Sequence, residues 1–396
     1  MKLIRRNKYM DDLYSLKNTP DIKIITGVRR CGKSFLMNMF IDELKISEPE
    51  SNILRINFND FENNELMDYK KLHAYIMDNY KKDKINYLFI DEVQMCKNFE
   101  VTINSIHNKM IYDIYLTGSN AFLLSSDLAT LFTGRYMEVE VFPFSFKEFV
   151  EYFDFNDDYN AFEKYVEYGG FPGSFIYEDA RKKTDYINNV IDVVILKDII
   201  KRNGVSDEAI MNKIVSFLMD NISNLTTSNK IANYLTSQGL KIDHKTVDNY
   251  LEYLCRAFVF YKVKRYDIKG QTYLQTNDKY YLDDTSARVA RLGHRNLDVG
   301  RVYENIVAIE LLRRGYELYV GKLYQKEIDF VAIKGNEKIY IQVSDNITAK
   351  DTLERELEPL RKIKDAYPKV LIANTRFSNY DLEGIKVLDL TKWLLS

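Results

Sequence analysis

The segment Gly27-Val28-Arg29-Arg30-Cys31-Gly32-Lys33-Ser34 follows an apolar run, Ile22-Lys23-Ile24-Ile25-Thr26, and leads into Phe35-Leu36-Met37-Asn38-Met39-Phe40-Ile41. A GxxxxGKS spacing between a strand pattern and a helix pattern suits a triphosphate cradle. In such a cradle the loop amides face phosphate oxygens, Lys33 reaches the β- and γ-phosphates, and the Ser34 hydroxyl helps to hold Mg2+. Glycine lets the backbone wrap an anion closely, and an ammonium on a long stem spans to the γ-phosphate. The candidate nucleotide-binding residues are therefore Gly27, Val28, Arg29, Arg30, Cys31, Gly32, Lys33, Ser34 and Phe35.

A second apolar run, Ile85-Asn86-Tyr87-Leu88-Phe89-Ile90, ends in Asp91-Glu92, the pattern of a Walker B strand. Asp91 would support Mg2+, with Ser34, and Glu92 would polarise a water for attack on the γ-phosphate. A third run, Ile111 to Leu116, ends in Thr117-Gly118-Ser119-Asn120 and resembles sensor 1 of ATPases that carry an additional strand between the Walker A and Walker B strands. Asn120 or Ser119 could bond the γ-phosphate or the attacking water there, Asn120 being favoured because its amide both donates and accepts. A plain turn with a helix cap is the alternative. Arg135, in Leu131-Phe132-Thr133-Gly134-Arg135-Tyr136, is the candidate γ-phosphate-sensing or finger arginine, acting within its own chain or on a neighbour's nucleotide, since a guanidinium stabilises charge spread over three oxygens; a surface ion pair is the alternative. The expected catalytic set is Glu92, Lys33, Asn120 and Arg135, with ATP and Mg2+ as ligands. ATP is preferred over GTP because no Asn/Thr-Lys-x-Asp motif follows Asp91 at the expected position.

The elements that must position these groups read as strands near 22–26, 52–58, 86–90, 111–117 and 137–142 with helices between them, an α/β pattern with a parallel sheet. At 396 residues the chain exceeds one hydrophobic core, so two or three domains are expected. A hydrophobic fraction of 46% with 29% charged residues is ordinary for a globular protein, and a net charge of −2 supplies no global attraction to nucleic acid, so any such binding needs a local basic patch. Three dispersed cysteines and four dispersed histidines give neither a disulfide frame nor a metal-ligand spacing. No run approaches a membrane span, and a cytoplasmic location with no membrane partner is expected.

Together with Val141-Phe142-Pro143-Phe144-Ser145-Phe146-Lys147-Glu148-Phe149 and Gly169-Gly170-Phe171-Pro172, these motifs resemble the prokaryotic AAA-type (AAA_14) ATPase family with a DUF4143 carboxyl-terminal region. The match runs in order along nearly the whole chain. Such proteins are similar to archaeal-type ATPases that join a P-loop core of the additional-strand (ASCE) type to a winged helix and a nuclease-like fold. The expected division is a P-loop domain with a helical extension over 1–200, a winged-helix-like domain over 201–297 and a restriction-endonuclease-like domain over 298–396.

In the middle segment, Thr227 to Leu235 and Asp243 to Leu254 read as capped helices around Gly239, followed by two strand patterns that could pair as a wing across Lys269-Gly270. His244, Lys245, Thr246, Lys262, Lys264, Arg265 and Lys269 could face a DNA groove, whereas Asp243, Asp248 and Glu252 would repel phosphate. Duplex DNA and a protein partner are thus alternative ligands of this segment, and an oligomer is compatible with the sequence. The last segment has the outline of a PD-(D/E)xK nuclease, in which Glu304 and Asp329 could correspond to acids. Gln342 and Ser344 stand where a second acid and a lysine belong, and a neutral amide and a hydroxyl cannot replace them. The leading expectation is an ATPase whose nucleotide cycle repositions the two following domains. A slow nucleotide-dependent switch is the alternative, and an ATP-regulated nuclease is disfavoured.

Overall fold

The computed structural model describes residues 2–118, 132, 134–205, 207–293 and 298–396, with all their side chains except those of Lys197, Gln275 and Thr276. Two compact units are present, Met1–Phe142 and Pro143–Ser396.

The first unit runs α1 (Asn7–Leu16), β1 (Ile22–Thr26), α2 (Lys33–Ser47), β2 (Asn52–Asn57), α3 (Tyr69–Asp78), β3 (Asn86–Asp91), α4 (Phe99–Asn108), β4 (Asp113–Thr117) and β5 (Tyr136–Glu140). The strands form a wholly parallel sheet in the order β2-β3-β4-β1-β5. The parallel α/β sheet expected from the sequence is present, and β4 stands between β1 and β3 as an additional strand. Helices cover both faces of a parallel sheet, so the central strands β1, β3 and β4 are buried on both sides and read as largely apolar runs. Ile22, Ile24, Leu88, Ile90, Ile114 and Leu116 pack against Leu72, Ile76, Phe99, Ile103 and Ile106 on one face. On the other, Phe40 of α2 meets Phe89 and Tyr115, with ring centroids 6.2 and 5.3 Å away. Because all five strands point the same way, the segments following β1, β3 and β4 leave from one carboxyl edge, where ligands of such sheets bind.

The second unit begins with α5 (Phe146–Phe153), α6 (Asp158–Tyr168), α7 (Ala180–Val193), α8 (Glu208–Asp220), α9 (Ser228–Ser237) and α10 (His244–Arg256). Ser145 and Glu148 form a full capping box on α5, and Thr227 and Asp243 cap α9 and α10. There follow β6 (Phe260–Asp267), β7 (Thr272–Leu282), α11 (Ser286–Leu292), α12 (Val299–Arg313), β8 (Glu317–Leu323), β9 (Lys326–Lys334), β10 (Glu337–Ser344), α13 (Lys350–Arg361), β11 (Lys369–Ala373), β12 (Tyr380–Leu382), β13 (Ile385–Asp389) and α14 (Leu390–Leu395). The helix, three strands, helix, strand order expected beyond residue 298 is seen as α12, antiparallel β8-β9-β10, α13, and β11 parallel to β10.

The expected boundaries near 200 and 297 both lie within the second unit. The two strand patterns that could pair as a wing do form the β6-β7 hairpin, and β6 also pairs in parallel with β8, Arg265 opposite Val320, so the sheet is one of eight strands ordered β12-β13-β11-β10-β9-β8-β6-β7. Pairing between strands so far apart in sequence leaves no trace in local periodicity. Among the described residues no helix is long and apolar enough to cross a membrane.

Candidate functional site

Between β1 and α2 the chain turns over two left-handed glycines. Gly27 has φ +131°, and a Cβ there would lie 2.0 Å from the Val141 carbonyl oxygen. That overlap with backbone admits only glycine. Gly32, at φ +106°, is the residue from which α2 starts, so the first amides of that helix border the loop. Lys33 is buried and its Nζ donates to the carbonyls of Gly27 at 2.8 Å and Val28 at 3.0 Å, holding the ammonium within the loop. Val28 and Cys31 are buried beneath the loop, and Phe35 is 56% exposed on the first turn of α2.

Asp91 closes β3 at the same edge and is nearly inaccessible. Its Oδ1 accepts from the Ser34 hydroxyl at 3.0 Å and from the Thr117 hydroxyl. Thr117 in turn accepts the Glu92 amide at 3.1 Å, so one hydroxyl ties the ends of β3 and β4 together. Glu92 adopts a left-handed backbone, φ +57°, which turns it away from the strand direction, and its carboxylate accepts from the Gln94 amide. A non-glycine residue in this region costs about 1–2 kcal/mol, a strain typical of functional positions. Lys33, Ser34, Asp91 and Glu92, chosen from sequence, thus meet at one sheet edge. Their donor set, a hydroxyl and a carboxylate beside an ammonium, fits a hard divalent cation accompanying an anionic phosphate chain.

Two residues of this site carry no motif. Thr117 is visible only as the start of the Thr-Gly-Ser-Asn segment. Arg6 is buried, donates to the Cys31 carbonyl at 3.1 Å and the Phe142 carbonyl at 2.9 Å, and lies 4.5 Å over the Tyr9 ring. It braces the loop from beneath, and nothing in its local sequence distinguishes it.

Arg135 lies away from this edge. It precedes β5, which runs parallel to β1, and the Ile22 amide donates to the Arg135 carbonyl at 3.0 Å, so Arg135 sits at the amino edge. At about 3.3 Å per strand residue, that is about 17 Å from the loop. Its guanidinium donates to Asn108 at 2.8 Å and is no part of its own chain's cradle. Asn120 and Ser119 lie outside the described residues.

In the second unit, Glu304 of α12 and Asp329 of β9 do converge, but on an ammonium. Lys279 Nζ of β7 lies 2.8 Å from Glu304, 2.8 Å from Glu327 and 3.9 Å from Asp329. Gln342 receives the Asp329 amide at 3.4 Å and donates to Glu356 at 3.1 Å, while Ser344 bonds the Asn346 carbonyl. Burial raises the carboxyl pKa values of both Glu304 and Asp329.

The aromatic segments find a structural explanation. The Phe144 amide donates to the Gly170 carbonyl, the Tyr165 hydroxyl to the Phe144 carbonyl, and Phe146, Phe149, Phe153 and Phe175 pack around them. A Cβ on Gly169 would lie 1.9 Å from Asp284 Oδ1, and a Cβ on Gly170 would lie 2.2 Å from the Phe144 carbonyl oxygen. Asp284, which no motif flagged, accepts the Gly170 and Ser286 amides at 2.6 and 2.9 Å.

Such a loop at the carboxyl edge of a parallel sheet, with an additional strand beside it, defines a P-loop protein of the AAA type. Residues 19–150 match the family described as an AAA domain, residues 159–298 a domain of unknown function (DUF8612) and residues 299–393 a domain of unknown function (DUF4143). An uncharacterised protein of Haemophilus influenzae is 39% identical over 99% of both chains. An uncharacterised protein of Methanocaldococcus jannaschii is 28% identical over 98% of this chain and 88% of its own. The Walker-type ATPase of Pyrococcus abyssi shares the fold with a TM-score of 0.50 at 16% identity, covering 73% of this chain and 96% of that one. The chain belongs to the family of AAA-domain proteins with a DUF4143 carboxyl-terminal region.

Proposed function

We propose that the chain binds ATP with Mg2+ at residues 27–35 and hydrolyses it, and that the nucleotide state governs what the second unit engages. The observation that carries this reading is the Ser34-Asp91-Thr117-Glu92 hydrogen-bond chain beside Lys33. Ser34 and Asp91 would hold Mg2+, whose charge would offset that of the phosphates. Lys33 would exchange its two carbonyl partners for phosphate oxygens, a charge-assisted and therefore stronger bond. Glu92 would orient and accept a proton from the attacking water, with its backbone fixed by Thr117.

Coupling has a physical starting point in Arg6. One guanidinium bonds the loop carbonyl of Cys31 and the carbonyl of Phe142, the last residue of the first unit. A loop that shifts on phosphate binding would pull on the point where the chain departs for the second unit.

A second reading, a nucleotide-dependent switch on duplex DNA, is favoured by the arrangement of the second unit's helices. Thr226 pairs with Asp278 of β7, so α8, this bridge, α9, α10 and the β6-β7 hairpin follow the order of a winged helix. Against it, Lys262 is ion-paired with Asp278 at 2.9 Å, and Asp243 caps α10 where phosphate would approach. Measuring ATP turnover by the purified chain alone and with duplex DNA at several salt concentrations separates the readings. Turnover without DNA supports the ATPase. Stable bound ATP together with DNA affinity that falls with salt supports the switch.

A further inference from the structure

Tyr266 of β6, Tyr273 of β7 and Tyr319 of β8 form a triangle of rings on the second unit's sheet, with centroids 5.6, 6.0 and 5.0 Å apart. Tyr266 is buried at its base, whereas Tyr273 is 60% exposed. Exposed Lys264 stands opposite Tyr319 in the register, and Lys338 Nζ lies 5.4 Å from the Tyr266 ring and 4.8 Å from that of Tyr367. Beside the rings, Glu317 accepts the Tyr319 hydroxyl at 3.2 Å and Asp365 accepts the Tyr340 hydroxyl at 2.5 Å.

A cleft of about 480 Å³ opens between the β8-β9 turn and the end of α13, where Tyr324, Lys326, Arg361, Lys362 and Lys364 line it without a carboxylate. The acids behind these cations are engaged: Glu358 by Lys326 and Lys362, Glu354 and Glu383 by Arg361. Tyr324 is 57% exposed, with Lys269 Nζ 4.9 Å over its ring. Segment 361–367 joins cleft and triangle, since its first residues line the cleft and Tyr367 shares Lys338 with Tyr266. Lys264, Lys269 and Lys364 make no ion pair among the described residues.

We propose that this face binds single-stranded DNA, with bases stacked on Tyr273 and Tyr324 and phosphates met by Lys264, Lys269 and Lys364. Exposed rings interleaved with ammonium groups that lack carboxylate partners complement a strand in both respects, a π-face for each base and positive charge for its backbone. A duplex keeps its bases stacked on one another and cannot use the rings. The choice of DNA over RNA rests on the winged-helix reading, because Lys269 and Tyr273 lie on the β6-β7 hairpin that would be its wing. The strand site depends neither on that reading nor on the nucleotide.

The test is fluorescence anisotropy of a labelled oligo-dT of about 20 nucleotides, enough to cross both features, titrated with the full chain without nucleotide. The strand should bind at least tenfold more tightly than a duplex of equal length, with an affinity that falls as salt rises. Tyr273→Ala/Tyr324→Ala should weaken strand binding about tenfold or more and leave duplex binding unchanged, whereas Tyr273→Phe/Tyr324→Phe, which keeps both rings, should bind as the wild type does. Lys269→Glu/Lys364→Glu should weaken binding and flatten its salt dependence. Strand binding by a chain with no duplex affinity would sink the winged-helix reading and support this one. No strand binding at low salt, or equal binding by the wild type and Tyr273→Ala/Tyr324→Ala, would overturn the proposal. Oligo-rU bound tenfold more tightly than oligo-dT would overturn the choice of DNA.

Discussion

Ser34 Oγ donates to Asp91 Oδ1 at 3.0 Å, joining the first turn of α2 to the end of β3 across 57 residues of sequence. The bond puts the hydroxyl and carboxylate proposed to hold Mg2+ on one oxygen, with Thr117 approaching the same atom from β4.

Thr117 links Asp91 to Glu92, so Thr117→Val should impair turnover more than binding. The valine fits the same volume but leaves the Glu92 amide without its acceptor and Asp91 with the Ser34 hydroxyl but without that of Thr117. Each loss is worth about 1–3 kcal/mol. Steady-state kinetics should show kcat lower by about tenfold or more and ATP affinity changed much less. A large loss of affinity with kcat intact would contradict this role.

Arg135, about 17 Å from the loop by strand geometry, should be silent for nucleotide binding in its own chain. Arg135→Ala is expected to leave the Kd for ATP within about twofold of wild type, the range of ordinary surface substitutions. Loss of turnover confined to concentrations at which chains associate would place Arg135 on a neighbour's nucleotide. A tenfold weaker Kd in dilute protein would return it to its own site.

The uneven legibility of this site follows from what local sequence can carry. Gly27, Gly32, Lys33 and Ser34 are dictated by backbone geometry and charge within one turn, so their spacing reveals them. Asp91 and Glu92 are revealed because an apolar strand run terminates in two adjacent carboxylates. Arg6 and Lys279 act across more than twenty residues, through partners that only the packed chain brings near. The place of Arg135 was legible as well: in a parallel sheet, a residue preceding a strand lies at the edge opposite a loop that follows one. The β6-β7 hairpin was legible as a hairpin, but its pairing with β8 was not, since the same alternation serves a free wing and a sheet edge.

Asp284 gives the second unit a pH dependence. Burial raises its pKa above the ordinary value of 3.8, although the Ser286 hydroxyl and the Gly170 and Ser286 amides pull it back. The folded state therefore holds this proton more tightly than the unfolded chain. The stability this contributes is complete below about pH 3.8 and is lost as pH rises through the folded value. Asp284→Asn should flatten that part of the stability curve measured by denaturant unfolding at several pH values. It should also cost about 1–3 kcal/mol where its amide accepts only one of the two backbone donors. An unchanged slope in the variant would remove Asp284 as the source.

Whether the loop-to-Glu92 constellation turns over ATP is tested most directly by single-turnover hydrolysis of radiolabelled ATP, comparing the wild type with Glu92→Gln and Lys33→Ala. The wild type should release phosphate. Glu92→Gln should bind ATP with near wild-type affinity and hydrolyse it about 10²–10⁴-fold more slowly, the usual contribution of a positioned base. Lys33→Ala should fail to retain ATP. Phosphate release by both variants at the wild-type rate would contradict the assignment of this site as the seat of hydrolysis.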